Sequence, residues 1–275
     1  MIDADQVIPP GFLGEHIRFH AYCSDLVVIG PRVFLAPGEI DVERLSDGFS
    51  FDALPQVGQR DSREWIWARL SENLNNLATC WHYLFTCNAS VRRRHLIDAG
   101  GFDEAFRGWG LEDSELGYRL RSRGLAFGYN PRAFAIHAHR EPLTAARQRE
   151  LYSEWRRNLT YFTDKHTGLE VAAQWILDRC FDPDKADLQW AEGCVRFEYA
   201  VRAMRGRLPS PPACELVEVD HANLAAVRAR LTEPDVPGNL LILDTTGDVE
   251  LPILVQTLNT QHELAYFRCR GPKLR

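Results

Sequence analysis

Apolar and polar positions change rhythm several times along this chain. Asp25-Leu26-Val27-Val28-Ile29-Gly30 sets four aliphatic residues between a carboxylate and a Gly30-Pro31 stop, the pattern of a short strand buried on both faces. In residues 81–91, Tyr83, Phe85 and Cys87 fall at alternate positions and predict a second strand. Residues 93–99 predict a short helix closed by Gly100-Gly101, since glycine accepts the positive φ that stops a helix. The clearest helix of this half is 112–123. Leu116, Leu120 and Gly124 keep its 3.6-residue period, and Arg119, Arg121 and Arg123 load the end where the helix dipole favours cations. Residues 127–130 and 133–137 predict two further strands around Pro131.

Beyond residue 142 the texture turns helical, over 143–165, 168–180 and 186–206. Leu208-Pro209-Ser210-Pro211-Pro212 has the composition of a linker. After it, 216–219 and 239–243 predict strands separated by a helical 222–231, and 251–258 predicts a last helix. The expected organisation is therefore an alternating α/β layer over 1–142, a helical extension over 143–208 and a small α/β appendage over 209–275.

Length and composition narrow the classes. The 275 residues are 45% hydrophobic, enough for a core without disulfide staples. Thirty-two basic against 38 acidic side chains leave a formal net charge of -6, a poor balance for a general nucleic-acid binder. No apolar run approaches the roughly 18 residues of a membrane span, and the N-terminus lacks the basic start and apolar segment of a secretory signal. Cys23, Cys80, Cys87, Cys180, Cys194, Cys214 and Cys269 form no Cys-x-x-Cys pair, which argues against structural zinc and a disulfide framework. Scattered thiols in a reducing compartment, and hence a cytoplasmic or membrane-peripheral protein, are the expectation.

Four constellations carry candidate chemistry. Asp3-Ala4-Asp5 before Pro9-Pro10 sets two hard oxygen donors at i and i+2, a pair that a tight turn converges on Mg²⁺ or Mn²⁺. Gly108-Trp109-Gly110-Leu111-Glu112-Asp113 leaves an indole face uncovered between glycines, the shape of a platform for a sugar ring. Its two carboxylates open a helix, where the dipole helps keep them ionised for work as a general base. His137-Ala138-His139 places two imidazoles on opposite faces of a strand, so one at most joins a given site. Asn88-Ala89-Ser90 precedes Arg92-Arg93-Arg94, a run that reads first as a solvated face.

The order Asp-x-Asp, Asn-x-Ser-x-x-Arg, Gly-Gly-Phe-Asp-Glu, Gly-Trp-Gly-x-Glu-Asp and then His resembles family 2 glycosyltransferases, in the subgroup with a galactosyltransferase-like acceptor half found in chondroitin-polymerase-type enzymes. The resemblance covers residues 1 to 142 and is most specific over 102–120. It implies a partial GT-A-type fold, a mixed sheet with flanking helices. It also implies Asp5 and Asp3 as ligands of Mn²⁺ or Mg²⁺, with His137 as third ligand and His139 in reserve. Trp109 and Gly110 become the acceptor platform, Asp113 the catalytic base, Glu112 a partner of acceptor hydroxyls and Asn88 the floor between donor and acceptor. The implied partners are a nucleotide-diphosphate sugar and a glycan or other hydroxyl acceptor. In that family about a hundred residues that hold the nucleotide base precede the Asp-x-Asp. Here it begins at residue 3, so the expectation is the acceptor-side half of an enzyme, completed by a further chain, or a binding module without turnover. Residues 209–275 are expected to cover part of the apolar surface so exposed.

Overall fold

A computed structural model describes residues 1–69, 74–138, 142–185, 188–204, 215–233, 240–257 and 264–268. The first elements are β1 (Gln6–Val7), α1 (Phe12–Tyr22), β2 (Leu26–Ile29), β3 (Arg32–Leu35), α2 (Val42–Asp47), β4 (Val57–Arg60) and α3 (Ser62–Arg69). Next come β5 (Ala89–Val91), α4 (Arg93–Asp98), α5 (Glu112–Ser122), β6 (Ala126–Tyr129) and β7 (Ala135–His137). A helical stretch follows in α6 (Ala145–Lys165), α7 (Leu169–Ala172), α8 (Asp178–Phe181) and α9 (Trp190–Met204). The last part alternates: β8 (Glu215–Val219), α10 (Leu224–Leu231), β9 (Leu240–Asp244), α11 (Leu251–Thr257) and β10 (Leu264–Arg268).

Three small sheets organise the chain. The central one runs β5-β2-β6, with β2 parallel to β6 and antiparallel to β5. All four residues of β2 are buried, as the unbroken aliphatic run requires. The second sheet runs β1-β7-β3-β4, with β7 and β3 parallel and the other pairs antiparallel. The third is an all-parallel β10-β9-β8 layer. The chain is thus a mixed α/β protein with helices flanking its sheets, consistent with a partial GT-A-type fold.

Several expectations need correction. The strand predicted over 81–91 is only β5 at its end, because Cys80–Tyr83 forms a 3-10 turn. All four residues of that turn are buried, so the segment plunges through the core and has no second face for alternation to describe. The helix predicted over 168–180 is broken into α7, a 3-10 stretch at Ala173–Leu177 and α8. α1 escaped the reading although Phe12, His16 and Phe19 line one buried face, since a histidine in that stripe lowers its apolar contrast. The β3–β4 hairpin escaped it too, because every residue of β4 is exposed and offers no alternation. The Pro-rich segment 208–212 lies outside the described residues.

The appendage is seated on the rest. Ile253 of α11 shares a cluster with Phe19 of α1, Leu26 and Val28 of β2 and Ala126 of β6, so it shields the outer face of the central sheet. The helical extension is tied in through Glu198 of α9, whose carboxylate accepts from Ala78 N and Thr79 N at 2.9 Å and from the Thr79 hydroxyl at 2.6 Å. Arg202, one turn on, closes the set at 2.5 Å. Replacing Glu198 with Ala strands the buried amide and hydroxyl of Thr79 and the half-buried amide of Ala78, and is expected to cost about 3 kcal/mol. Urea unfolding should show a lower midpoint with an unchanged m value.

Candidate active site

The N-terminal residues are held at two points. Ile2 bridges Asn88 at the edge of the central sheet, and Met1 exchanges both backbone hydrogen bonds with Ala89. Four residues later Gln6 pairs with His137 in the second sheet. The intervening turn gathers Asp3, Asp5 and His137, whose ligand atoms all lie within 4.8 Å of one another. His137 Nε2 stands 3.4 Å from Asp5 Oδ1 and 3.9 Å from Asp3 Oδ2. Its other nitrogen, Nδ1, lies 3.1 Å from the Ala138 carbonyl, and a proton there leaves the Nε2 lone pair facing the two carboxylates. His137 is fully buried, while both aspartates remain accessible. His139 lies outside the described residues.

The loop before α5 is built on left-handed backbone. Gly108, Gly110 and Leu111 all take positive φ, and Leu111 is the one non-glycine among the described residues to do so, at 75°. α6 holds this loop in place. Glu154 accepts from Trp109 N at 2.7 Å, and buried Asn158 donates to the Gly110 carbonyl at 2.8 Å and accepts from Arg107 N at 3.3 Å. A side chain at Gly108 would collide with Glu154, and one at Gly110 would press on Trp155. The indole of Trp109 is left 43% exposed, with Phe181 against it edge to face at 5.6 Å.

Two consecutive carboxylates open α5 with different surroundings. Asp113 accepts from the Thr86 hydroxyl at 2.5 Å and from Thr86 N at 3.1 Å. Burial lifts its carboxyl above the ordinary aspartate range against those two bonds, and the nearby charge of Asp3 adds to the lift. Glu112 Oε2 is buried and accepts no hydrogen bond, and burial followed by the Asp113 charge raises this carboxyl as well. Asn88 is wholly enclosed. Its amide donates to the carbonyls of Pro31 and Ala133 at 2.9 and 2.7 Å, and its oxygen meets His16 Nε2 at 3.0 Å. Its side-chain polar atoms are thus all taken up within the protein.

Sequence reasoning missed the residues beneath the cleft. Fully buried Arg63 bonds Asp61 through Nε at 3.0 Å and Nη2 at 2.6 Å, and reaches the carbonyls of Tyr83 and Gly30 at 3.0 and 3.2 Å. Burial raises the Cys87 thiol, the charges of Arg32 and Arg63 oppose that rise, and those of Asp3 and Asp113 reinforce it. Cys87 thus marks the point where the acidic turn, the α5 carboxylates and two arginines meet. No short motif announces this set, because its members come from five separate segments. An open cavity of about 610 Å³, lined in part by Pro9, Pro10, Phe51 and Phe134, lies at the opposite end of the β1–β7 pair from His137.

The raised Glu112 carboxyl sets a pH-dependent cost. The folded state holds the proton more tightly than the unfolded chain, so stability is lost as pH rises through the ordinary glutamate value towards the folded one. Glu112→Gln removes that loss. The variant should be more stable than the parent at pH 7 by up to about 1 kcal/mol, with the gap closing near pH 4. Urea midpoints at the two pH values check this.

Comparison with known proteins agrees with the geometry. A family model described as the N-terminal domain of galactosyltransferase matches residues 71–140, the stretch that carries Thr86, Asn88, Trp109, Asp113 and His137. Chondroitin synthase of Pasteurella multocida (strain Pm70) is 30% identical over 143 residues, 45% of this chain and 15% of that protein. Validoxylamine A glucosyltransferase of Streptomyces hygroscopicus subsp. jinggangensis (strain 5008) is 33% identical over 105 residues, 38% of this chain and 24% of that one. An uncharacterized glycosyltransferase, YfnE, of Bacillus subtilis (strain 168) is 34% identical over 89 residues, 32% of this chain and 21% of its own length. The chain thus spans less than a quarter of the length of these relatives. The matched stretch, with the residues it carries, is therefore what this chain shares with glycosyltransferases.

Proposed function

We propose that this chain is the metal- and acceptor-binding half of an inverting glycosyltransferase, moving a sugar from a nucleotide-diphosphate donor to a hydroxyl of a glycan or related acceptor. The observation that carries this reading is the position of Asp3. It stands beside His137 and Asp5 on one side, and its charge acts on Asp113 on the other. Two carboxylates and an imidazole suit Mn²⁺ or Mg²⁺, both of which take oxygen ligands readily. Asp3, Asp5 and His137 would hold the ion, and a bound ion supplies neutralisation of the diphosphate charge.

The chain's own residues account for the rest. Trp109 offers its exposed face to the acceptor ring, and Gly110 keeps the loop close enough to α6 to hold that face still. Glu112 Oε2, buried and without a partner, accepts a hydrogen bond from an acceptor hydroxyl. Asp113 takes the proton of the attacking hydroxyl, and its raised carboxyl is better matched to that task than an ordinary aspartate. The acceptor oxygen bonds to the anomeric carbon as the carbon–oxygen bond to the diphosphate breaks. The electron pair departs on the phosphate oxygen, and the configuration inverts in a single displacement. No nucleophilic side chain is required.

The named relatives make chondroitin and glucosylate validoxylamine A, so the shared stretch is compatible with polymeric and small acceptors alike. The partners we propose are the nucleotide-diphosphate sugar and the hydroxyl acceptor. Among the described residues no helix is long and apolar enough to cross a membrane. We place the reaction in a reducing compartment, the cytoplasm or its membrane surface, where Cys23, Cys80, Cys87, Cys180 and Cys194 stay free thiols.

Mn²⁺ with a nucleoside diphosphate at a hundred times its dissociation constant should stabilise the fold by about 2.7 kcal/mol, read as a rise in Tm. Asp5→Ala should abolish the rise. Asp113→Asn should keep it while transfer from a panel of sugar nucleotides falls at least about a hundredfold. A parent chain that shows no rise with any nucleotide would instead favour a glycan-binding module without turnover.

A further inference from the structure

Immediately after Gly30-Pro31, β3 opens with Arg32. Its register partner on β7 is Ala135. Phe34, two residues on and therefore on the same face, pairs with His137 and sets its ring 5.2 Å from the imidazole. Arg32 thus occupies the sheet face that carries His137, one pleat along. Its guanidinium lies between two phenyl rings, 5.3 Å from Phe34 and 5.2 Å from Phe85, an arrangement that fixes a flexible side chain by cation–π contact.

The two arginines here differ in what remains unspent. Arg63 is fully buried and uses its donors on Asp61, Gly30 and Tyr83. Arg32 takes only its backbone N–H to Asp61, at 3.0 Å, and its Nε stays 3.6 Å from that carboxylate. That Nε is buried without a hydrogen-bond partner, while the side chain as a whole keeps 21% exposure. No hydrogen bond from the guanidinium to any described residue is present. A planar fork of unspent N–H donors, held between aromatic rings, matches a phosphate edge in geometry as well as charge. Its position beside Cys87, where the charges of Asp3 and Asp113 also act, sets it in the cleft of the proposed reaction.

The electrostatics require such a group. Asp3 and Asp5 stand at His137, the charge of Asp3 acts on Asp113 and that of Asp113 on Glu112, so a diphosphate brought to this place meets four carboxyl groups. One divalent cation offsets part of that repulsion. We infer that Arg32 is the second cation of this cleft, donating hydrogen bonds to the phosphoryl oxygens of the leaving diphosphate. It moves no proton. The electron pair released from the anomeric carbon settles on a phosphate oxygen that Arg32 stabilises, and the aromatic clamp keeps the fork in place before the substrate arrives. This assignment rests on the metal–donor reading given above.

Inorganic pyrophosphate is the probe, on the full chain, with and without Mn²⁺. Mn²⁺ alone should raise Tm, and pyrophosphate added to the Mn²⁺-loaded chain should raise it further. Arg32→Gln should keep the first step and weaken pyrophosphate at least about tenfold by calorimetry. Arg32→Lys should recover only part of that loss, because the charge returns without the fork. Pyrophosphate affinity within about twofold of the parent in Arg32→Gln overturns the assignment, as does a parent chain that answers Mn²⁺ but not pyrophosphate. If Arg32→Gln lowers the urea midpoint, Arg32→Lys decides, since it retains stem and charge. A parent chain indifferent to Mn²⁺ overturns the metal reading. Arg32 must then give a pyrophosphate response unaided, and its absence overturns both.

Discussion

Between Ile2, bridged to Asn88, and Gln6, paired with His137, three residues make the whole crossing from one sheet to another. Everything proposed for the site depends on that short span. Extended chain covers only about 3.3 Å per residue, so the two anchors leave little slack for Asp3 and Asp5 to wander. Both sheets brace the crossing. Asn88 locks its end by filling the space that Gly30 leaves open and by tying down Pro31 and Ala133. His137 is buried against Phe34 at the other end.

The acceptor side is braced differently. Its loop lies in the part that sequence texture assigns to the first unit, yet the groups that shape it, Glu154, Trp155 and Asn158, belong to α6. A second link runs from Glu115 of α5 to Lys165 and His166 at the end of α6, at 2.7 and 2.8 Å. The extension therefore does more than cover the layer beneath it. Left-handed backbone at three nearly consecutive positions would relax in isolation, and the long helix is what keeps Trp109 presented.

Much of this was legible in the residues because the chemistry is local. The Asp3–Asp5 pair, Trp109 between glycines and the carboxylates at the start of α5 each announce themselves within six positions. The four-residue aliphatic run of β2 and the periodic α5 did so too. What stayed hidden is what only the fold assembles. Thr86 meets Asp113 across 27 positions, and Asp61 and Arg63 lie in a segment with no alternation to read. Arg32 looks like any arginine after a turn until two phenyl rings from separate segments are seen to enclose it. Nothing in the sequence foretells that the Asn88 amide is consumed by backbone.

Ile253 has a wider meaning. Its side chain, 3% exposed, plugs a hydrophobic face made by the aliphatic strand β2 and its neighbours. The terminal βαβαβ layer is in that sense a stopper as well as a unit of its own. Recombination that exchanged it for another module would have to bring an aliphatic residue to the same spot, or leave a greasy wall facing water.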